Sequence, residues 1–249
     1  METPTGEPTS TEPTRASAPA APAEARQRWR ITFCRDLRPG GQGLVGRDYL
    51  ASWDDALVRS ALPIAETAAG RYRFSLAAPL PASSAGEAEL AELWLTARLP
   101  AWQLRAALTP PLPVDHRITA LEDVWMGAPA LAGRIVAADY RITLKDGPEE
   151  GSVAAAAQRL LNARSLPRER AKGNSVKAYD LRPQLISILI DGGGNGEGLN
   201  VRLRTRIHPE LGSGRPEEAL AALTDEVGVP LEALTTVRER LVLAEDVER

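Results

Sequence analysis

The side chains that could do chemistry in this sequence form a basic region rather than a catalytic set. From Arg164 to Arg215 there are ten basic and five acidic residues, a net charge of +5, which leaves −8 for the rest of a chain whose net charge is −3. This asymmetry favours an anionic partner for the region. We predict that nine of its residues contact nucleic acid or another anion: Arg168, Arg170, Lys172, Lys177, Arg182, Arg202, Arg204, Arg206 and Arg215.

Three of these arginines share one face of a predicted strand. In residues 199–207, Arg202, Arg204 and Arg206 alternate with apolar residues, the period-2 pattern of a half-covered sheet. Alternate residues of a strand are about 6.6–6.8 Å apart, close to the spacing of phosphates along a nucleic-acid strand. A solvated sheet face without a ligand has the same pattern, so both interpretations stay open.

A second candidate site precedes the most apolar strand-like run, residues 185–190. Pro183 cannot donate to a sheet ladder and therefore belongs at the start or the edge of a strand. Asp180 and Arg182 form a local ion pair there, or Arg182 joins the anion-binding set. We expect Asp180 and Pro183 to shape the start of the strand and Arg182 to contact the ligand.

Two glycine-containing segments are weaker candidates for a phosphate site. The glycines at 192–194, 196 and 198 lack the Gly-Lys-Ser/Thr ending of a phosphate loop and precede a strand, so we interpret them as a hairpin loop. Arg215 comes just before a predicted helix, whose free backbone N–H groups attract anions. Glu217 and Glu218 already occupy that positive helix end, which favours simple capping.

Neither the histidines nor the single cysteine mark a catalytic or metal site. His116 and His208 each have an acidic neighbour, but no serine or cysteine motif marks a nucleophile, and no metal-ligand spacing is present. Cys34 alone cannot form an internal disulfide or a cysteine-built metal centre. We therefore predict no catalytic residue, metal or cofactor, while an enzyme built from dispersed carboxylates stays open.

Composition indicates a globular protein with an unstructured N-terminal tail. Residues 1–26 are rich in Pro, Thr, Ala and Glu. They bury too little apolar surface to offset their ordering entropy, so we predict disorder. No apolar run approaches the ~20 residues of a membrane span, and the N-terminus lacks a basic segment followed by an apolar one. We expect a cytoplasmic protein without a membrane partner.

Periodicity places the candidate residues on two repeats of one order of elements. Residues 27–136 and 137–249 each show a strand, a helix, two strands, a helix and a strand. The clearest helix, over 215–228, has Pro216 at its first position and Gly228 at its end. The predicted fold class is α+β, with two tandem ferredoxin-like (β-α-β-β-α-β) modules behind the tail. Such modules leave one sheet face open to ligands.

The order of five short motifs resembles the radical SAM-linked proteins of the DUF2344 type, over residues 29–243. The motifs are Asp36-Leu37-Arg38, Ala78 to Pro81, Ala138 to Ile142, Asp180 to Pro183, and Gly212 to Glu218. Two family sequences are replaced: GRDYLASWDD stands where members carry an early His-Leu-Asp, and AETAAGRYRF where they carry a Gly-Phe-Asn-Pro-His-Pro-like turn. Members occur beside, or fused behind, a radical S-adenosylmethionine protein, so the resemblance implies that partner.

These observations predict a binding protein rather than an enzyme. The first hypothesis is a non-catalytic accessory protein of a radical SAM enzyme, which holds RNA or the partner on its basic sheet face. An alternative is an RNA-processing or RNA-modifying enzyme, since tandem ferredoxin-like modules also occur in such enzymes. A third is a protein–protein adaptor whose arginines meet an acidic partner.

Overall fold

The computed structural model describes residues 23–37, 41–145, 149–172, 175–192, 198–210 and 212–247, with the backbone alone for residues 171, 172 and 175. Most of the predicted disordered tail therefore lies outside the described residues, as do Arg38 and the centre of the glycine run. The side chain of Lys172, one of the nine predicted contacts, also lies outside them. No helix in the described ranges is long and apolar enough to span a membrane.

Eleven strands and five helices follow one another along the described chain. The first half contains β1 (Gln27–Arg35), α1 (Gly46–Arg59), β2 (Phe74–Leu76), β3 (Ala85–Leu95), α2 (Ala101–Leu108) and β4 (His116–Val124). The second half contains β5 (Ile135–Leu144), α3 (Glu150–Asn162), β6 (Pro167–Lys172), β7 (Ser175–Asp180), β8 (Leu185–Asp191), β9 (Asn200–His208), β10 (Gly212–Ser213), α4 (Pro216–Val227), β11 (Ala233–Leu243) and α5 (Ala244–Val247).

One nine-stranded sheet runs through both halves. Its order is β10-β9-β5-β11-β3-β1-β4, with β2 also paired to β3 and β8 to β9, while β6 and β7 form a separate hairpin. Within the first half the order is therefore β4-β1-β3-β2, and within the second half β11-β5-β9-β8. Neighbouring strands are antiparallel except β11 and β3, which join the halves through the pairs Ala85–Val237 and Gly86–Arg238. The fold is mixed α/β with a large, mostly antiparallel sheet.

The two helix pairs cover the same side of this sheet. In the first half, Trp53 on α1 and Leu104 on α2 pack on Phe33 and Leu93. In the second half, α3 and α4 cover the matching face of β5 and β9. The cross-strand register continues from one half to the other, so both cores lie on one side. In the described part of the chain, none of the helices α1 to α4 covers the opposite face of the sheet, which we call the helix-free face.

Most predicted elements are present. Helix α4 could be predicted because local sequence signals define both of its ends. It begins at Pro216, and Gly228 ends it with a φ of +80°, a backbone conformation that glycine adopts without strain. Two elements differ from the prediction. Strand β3 begins at Ala85, seven residues before residues 92–98, whose sequence predicts the strand, because pairing with β1 and β11 holds its Ala- and Glu-rich start. The hairpin of β6 and β7 was not predicted.

Candidate ligand-binding cleft

A cleft lies on the helix-covered side of the sheet, where the two halves meet. It consists of two cavities of about 550 Å³ and about 260 Å³, and Glu217 lines both of them. The larger cavity is bounded by the loop 78–82 of the first half and by residues 213–217 of the second. Its floor includes Tyr140 and Arg238. Neither half alone supplies both walls.

A row of side chains crosses the sheet beneath the cleft. The register aligns His116 of β4 with Arg35 of β1, then Gly86 of β3, Arg238 of β11 and Tyr140 of β5. Aligned residues of neighbouring strands point to the same face. The strands thus bring together polar residues that are far apart in the sequence, on the face that the helices cover.

The central member of the row, Arg238, forms a buried ion pair with Glu89. The guanidinium donates to both Glu89 carboxylate oxygens, and it also donates to the backbone carbonyls of Ala78 and Pro79 at 3.1 and 2.9 Å. Burial acts to lower the pKa of Arg238, but its hydrogen bonds to Glu89 outweigh that effect and raise the pKa. A Cβ on Gly86 would lie 2.6 Å from Glu89 Cγ, so a larger residue at this position would have to displace the buried Glu89 side chain.

Arg35 anchors the same loop from the other end. Its guanidinium, almost fully buried, donates to the carbonyls of Leu44, Pro81 and Ser84 at 2.7–3.1 Å. Burial lowers the pKa of Arg35, and the guanidinium stacks over the ring of Tyr49. Two buried arginines therefore hold the loop 78–84, and the wall of the cleft that it forms is fixed before any ligand binds.

Beyond Arg35, the row ends in a hydrogen-bonded chain of three side chains. His116 Nδ1 lies 2.8 Å from the Asp115 carboxylate, and its Nε2 lies 2.9 Å from the Tyr49 hydroxyl. Because a carboxylate only accepts, Nδ1 carries the proton and Nε2 accepts from Tyr49. Burial lowers the pKa of His116 and raises the pKa of Tyr49 to about 12. The neutral forms of both rings are thus favoured.

The other two groups weighed as possible catalysts have ordinary surroundings. His208 Nδ1 accepts a hydrogen bond from the backbone N–H of Glu210 at the surface. Cys34 is buried, with its sulfur 3.6 Å from the carbonyl oxygen of Arg117. Among the described residues there is no group of three or more His, Cys, Asp or Glu that could hold a metal ion.

The hairpin of β6 and β7 forms the basic rim of the cleft. Arg170 lines the larger cavity and makes a two-point ion pair with Glu218 at 2.6 and 2.7 Å. Arg168 bonds Asp225 farther along α4 at 2.9 Å. Lys177, opposite Arg170 in the hairpin register, is exposed. Lys177 and Arg215 have no carboxylate partner in the described part of the chain, so they are the rim cations available to a ligand.

Arg202, Arg204 and Arg206 lie on the opposite, helix-free face of the sheet. Arg202 bonds Asp191 at 2.8 Å, and Arg204 makes a two-point pair with Asp139 at 2.6 and 2.9 Å. Arg206 donates to the carbonyl of Pro183 instead. Burial acts to raise the pKa of Asp139, but hydrogen bonds from Arg204 and Arg240 outweigh that effect and lower the pKa. This face is therefore largely charge-balanced.

Asp180 and Arg182 serve the backbone rather than each other. The Asp180 carboxylate accepts from the N–H groups of Leu166 and Arg182, at 2.7 and 2.9 Å. The Arg182 guanidinium donates to the carbonyl of Leu161, near the end of α3, and to that of Leu185. The guanidinium of Arg182 is thus engaged by backbone carbonyls of its own neighbourhood.

Replacing Asp180 with alanine is expected to lower the free energy of unfolding at pH 7 by about 1–2 kcal/mol, since two backbone donors lose a charged acceptor. Hydrogen bonds from the Leu166 and Arg182 amides lower the pKa of Asp180 in the folded protein. Its contribution is therefore complete above the unfolded pKa of about 3.9 and is lost as the pH falls through the lower folded pKa. Urea titrations should show the difference between wild type and variant shrinking below about pH 4.

A matched control for this experiment is Asp54→Ala, on the exposed face of α1. We expect a change within about 0.5 kcal/mol at either pH. A gap between wild type and Asp180→Ala that stays constant from pH 7 to pH 3 would contradict the assigned role of the carboxylate.

The fold and the cleft define a mixed α/β protein in which a groove lies between two halves of like strand order. The family model described as "Uncharacterized protein conserved in bacteria (DUF2344)" matches residues 44–214, well over half of the chain. The chain therefore belongs to the DUF2344 family. No curated protein matches it.

Among solved structures, the chain is similar to one in "Crystal Structure of a Cbf5-Nop10-Gar1 Complex", with 10% sequence identity and a TM-score of 0.45. The match covers 84% of this chain and 48% of that chain, so the present chain corresponds to about half of the other's length. A likeness at this level supports no inference about function.

The nine predicted contacts do not form one site. Arg170 and Arg215 line the cleft and Lys177 lies opposite Arg170 in the hairpin, whereas the arginines of β9 lie on the other side of the sheet. The cleft residues Tyr140 and Arg238 were not predicted. A signal for part of the site was nevertheless present, because three of the motifs carrying the family resemblance line the larger cavity: Ala78 to Pro81, Tyr140 within Ala138 to Ile142, and Ser213 to Glu217.

Proposed function

We propose that this protein is a non-catalytic accessory protein of a radical SAM enzyme, and that it holds RNA in the cleft between its halves. The family resemblance of the motifs supplies the radical SAM partner. We also propose that it acts in the cytoplasm and that each half is a ferredoxin-like module. The strand orders β4-β1-β3-β2 and β11-β5-β9-β8, each with two helices on one face, support the modules.

The observation that carries the RNA proposal is the distribution of unneutralised charge. On the helix-free face, Arg202 and Arg204 each have a carboxylate partner, and Arg206 donates to the carbonyl of Pro183. Lys177 and Arg215 have none in the described ranges; Arg215 lines the cavity of about 550 Å³, and Lys177 is the cross-strand neighbour of Arg170, which also lines it. A cation that already pairs with a carboxylate must break that ion pair before it can contact a phosphate, whereas an unpaired cation need not. The cleft therefore supports anion binding better than the sheet face does.

Replacing Lys177 and Arg215 with alanine together is expected to weaken binding of single-stranded RNA by about ten- to a hundredfold. The slope of log affinity against log salt should fall by about 0.7 for each phosphate that the variant no longer neutralises. Fluorescence anisotropy over a series of salt concentrations measures both quantities. The control replaces Arg202 and Arg204, two arginines of the sheet face, and should change neither by more than about twofold.

The opposite ranking, with the sheet-face variant losing affinity and the cleft variant keeping it, would place RNA on the helix-free face.

RNA altered by the purified protein without its partner would contradict the non-catalytic part of the proposal and favour the alternative of an RNA-processing or RNA-modifying enzyme. Co-purification with and without nuclease tests the partner. A radical SAM protein recovered in both samples supports the accessory role, and its absence from both counts against it.

The helix-free face supports a second candidate, an adaptor that binds a protein. Arg141, Arg202 and Arg240 form ion pairs with Asp139, Asp191, Glu87 and Glu239 on this face. A charge-balanced surface with both signs suits a mixed-charge protein surface better than a phosphate backbone. In the co-purification experiment, a partner protein lost on Asp139→Ala and retained after nuclease treatment would favour the adaptor.

A further inference from the structure

We propose that the cleft admits one unpaired nucleotide of an RNA strand, an inference that rests on the RNA binding proposed above. The larger cavity, about 550 Å³, falls within the range of about 300–1,000 Å³ that is typical of small-molecule sites. Its walls offer apolar surface from Pro79, Leu80 and Ile207, and Tyr140 lies at the floor. These groups suit the flat ring of a base that is not stacked on its neighbours in the RNA strand.

One cation of the cleft is available to a single phosphodiester, and the cleft also carries one carboxylate, Glu217, that would repel further phosphates. Three arginines line the larger cavity, but Arg238 is neutralised by Glu89 and Arg170 by Glu218. Arg215 is left as the lining cation without a carboxylate partner in the described ranges. One phosphodiester carries a single negative charge, whereas a nucleoside triphosphate carries several that this cleft would leave unpaired. The count therefore favours a nucleotide within a strand over a free polyphosphate.

Glu217 gives the cleft a group that selects among bases. Its carboxylate lines both cavities, and an ionised carboxylate only accepts hydrogen bonds. It would repel phosphate, so the phosphodiester lies toward Arg215 and the base edge toward Glu217. Bases that present N–H donors on their Watson–Crick edge fit this acceptor, and guanine presents two adjacent ones. That edge is free only in an unpaired nucleotide.

The walls hold this geometry without the ligand. Arg238 and Arg35 fix the loop 78–84 through its carbonyls. On the other wall, a Cβ on Gly214 would lie 2.8 Å from Thr205 Cβ and 3.0 Å from the carbonyl oxygen of Gln184, so this turn is pressed onto the sheet. A cavity with both walls fixed selects its occupant by size and shape.

The test uses a short single-stranded RNA with one central 2-aminopurine, whose fluorescence rises when the base unstacks, and the duplex of the same sequence. Wild type should raise the fluorescence of the single strand and bind it at least about tenfold more tightly than the duplex. Ser213→Trp fills the cavity from its exposed rim. It should abolish the rise and weaken single-strand binding about tenfold, with duplex binding unchanged.

Two further variants separate the parts of the site. Arg215→Ala should weaken binding about tenfold whatever the central base is. Glu217→Gln should instead reduce the preference for a central guanine over adenine. Arg202→Ala on the opposite face is the matched control and should change neither readout. Urea titration of each variant confirms that it is folded.

The outcomes distinguish the single-nucleotide inference from the RNA binding proposed above, on which it rests. Equal affinity for single strand and duplex, with Ser213→Trp behaving as wild type, would overturn the single-nucleotide inference and leave RNA binding intact. Absence of binding to either RNA would overturn both. A fluorescence rise that Ser213→Trp removes, together with weaker binding by Arg215→Ala, supports the nucleotide in the cleft.

Discussion

Replacing Glu89 with alanine is expected to lower the free energy of unfolding by about 3–5 kcal/mol, because it leaves Arg238 as a buried cation without its counter-charge. Both side chains are almost completely buried, at 4% and 1% exposure. The decrease is a large fraction of the total stability of a typical domain, about 5–15 kcal/mol. Urea titration at pH 7 measures the change directly.

The matched control is Glu87→Ala, two residues earlier in β3. Glu87 pairs with Arg141 on the helix-free face, where both side chains are partly exposed, and its removal should cost about 1 kcal/mol or less. A Glu89→Ala variant no less stable than this control would contradict the assigned importance of the buried pair.

A double replacement separates stability from cleft geometry. Buried ion pairs exchanged for apolar residues of similar size often recover the lost stability. Glu89→Leu combined with Arg238→Met should therefore unfold close to wild type. It lacks the guanidinium that holds the carbonyls of Ala78 and Pro79, so its RNA affinity should be lower than that of the wild type. A double variant with restored affinity would show that Arg238 does not position the loop.

Replacing Arg28 with alanine should have an effect of similar size on the opposite face of β3, again about 3–5 kcal/mol. Arg28 and Glu92 form an ion pair at 2.5 Å, with 2% and 0% exposure. Arg28 also donates to the carbonyls of Ala128 and Pro129, while Glu92 accepts from the N–H of Leu131. The pair therefore fastens the segment that connects the two halves.

Hydrogen exchange distinguishes this role from general destabilisation. Backbone amides of residues 128–134 should exchange faster in Arg28→Ala even under conditions in which the protein stays folded. In the variant, local opening of this segment no longer has to break the hydrogen bonds of Arg28, which act as a clamp. Arg30→Ala is the control, because Arg30 lies 3.7 Å from Glu92 and makes a weaker contact. Equal protection of this segment in the Arg28 and Arg30 variants would contradict the clamp.

Sequence periodicity was sufficient for the elements whose stabilisation is local. The start of α4 at Pro216 and its end at Gly228 depend on residues within or beside the helix. The alternation in β9 placed its arginines on the face opposite Val201 and Leu203, as the structure does. These features could be read from short windows because the responsible interactions join residues that are close in the chain.

The cleft depends on interactions that no short window contains. Glu89 and Arg238 are 149 positions apart, and the two halves of the sheet meet through two residue pairs of β3 and β11. An acidic residue in an Ala-rich segment shows no sign of burial until the cation that neutralises it is known. The carboxylate that neutralises Arg204 was equally hidden, because Asp139 lies on another strand, 65 positions away.

The position of β11 has a consequence for how the protein is made on the ribosome. This strand follows the ten other described strands in the chain, yet it lies in the middle of the sheet between β5 and β3. Until it emerges, the first half exposes an unpaired edge of β3, and Glu89 has no cation beside it. Nascent chains that stop short of Arg238 would present this open edge, a feature that promotes aggregation. Emergence of β11 thus unites the halves and creates the cleft in a single step.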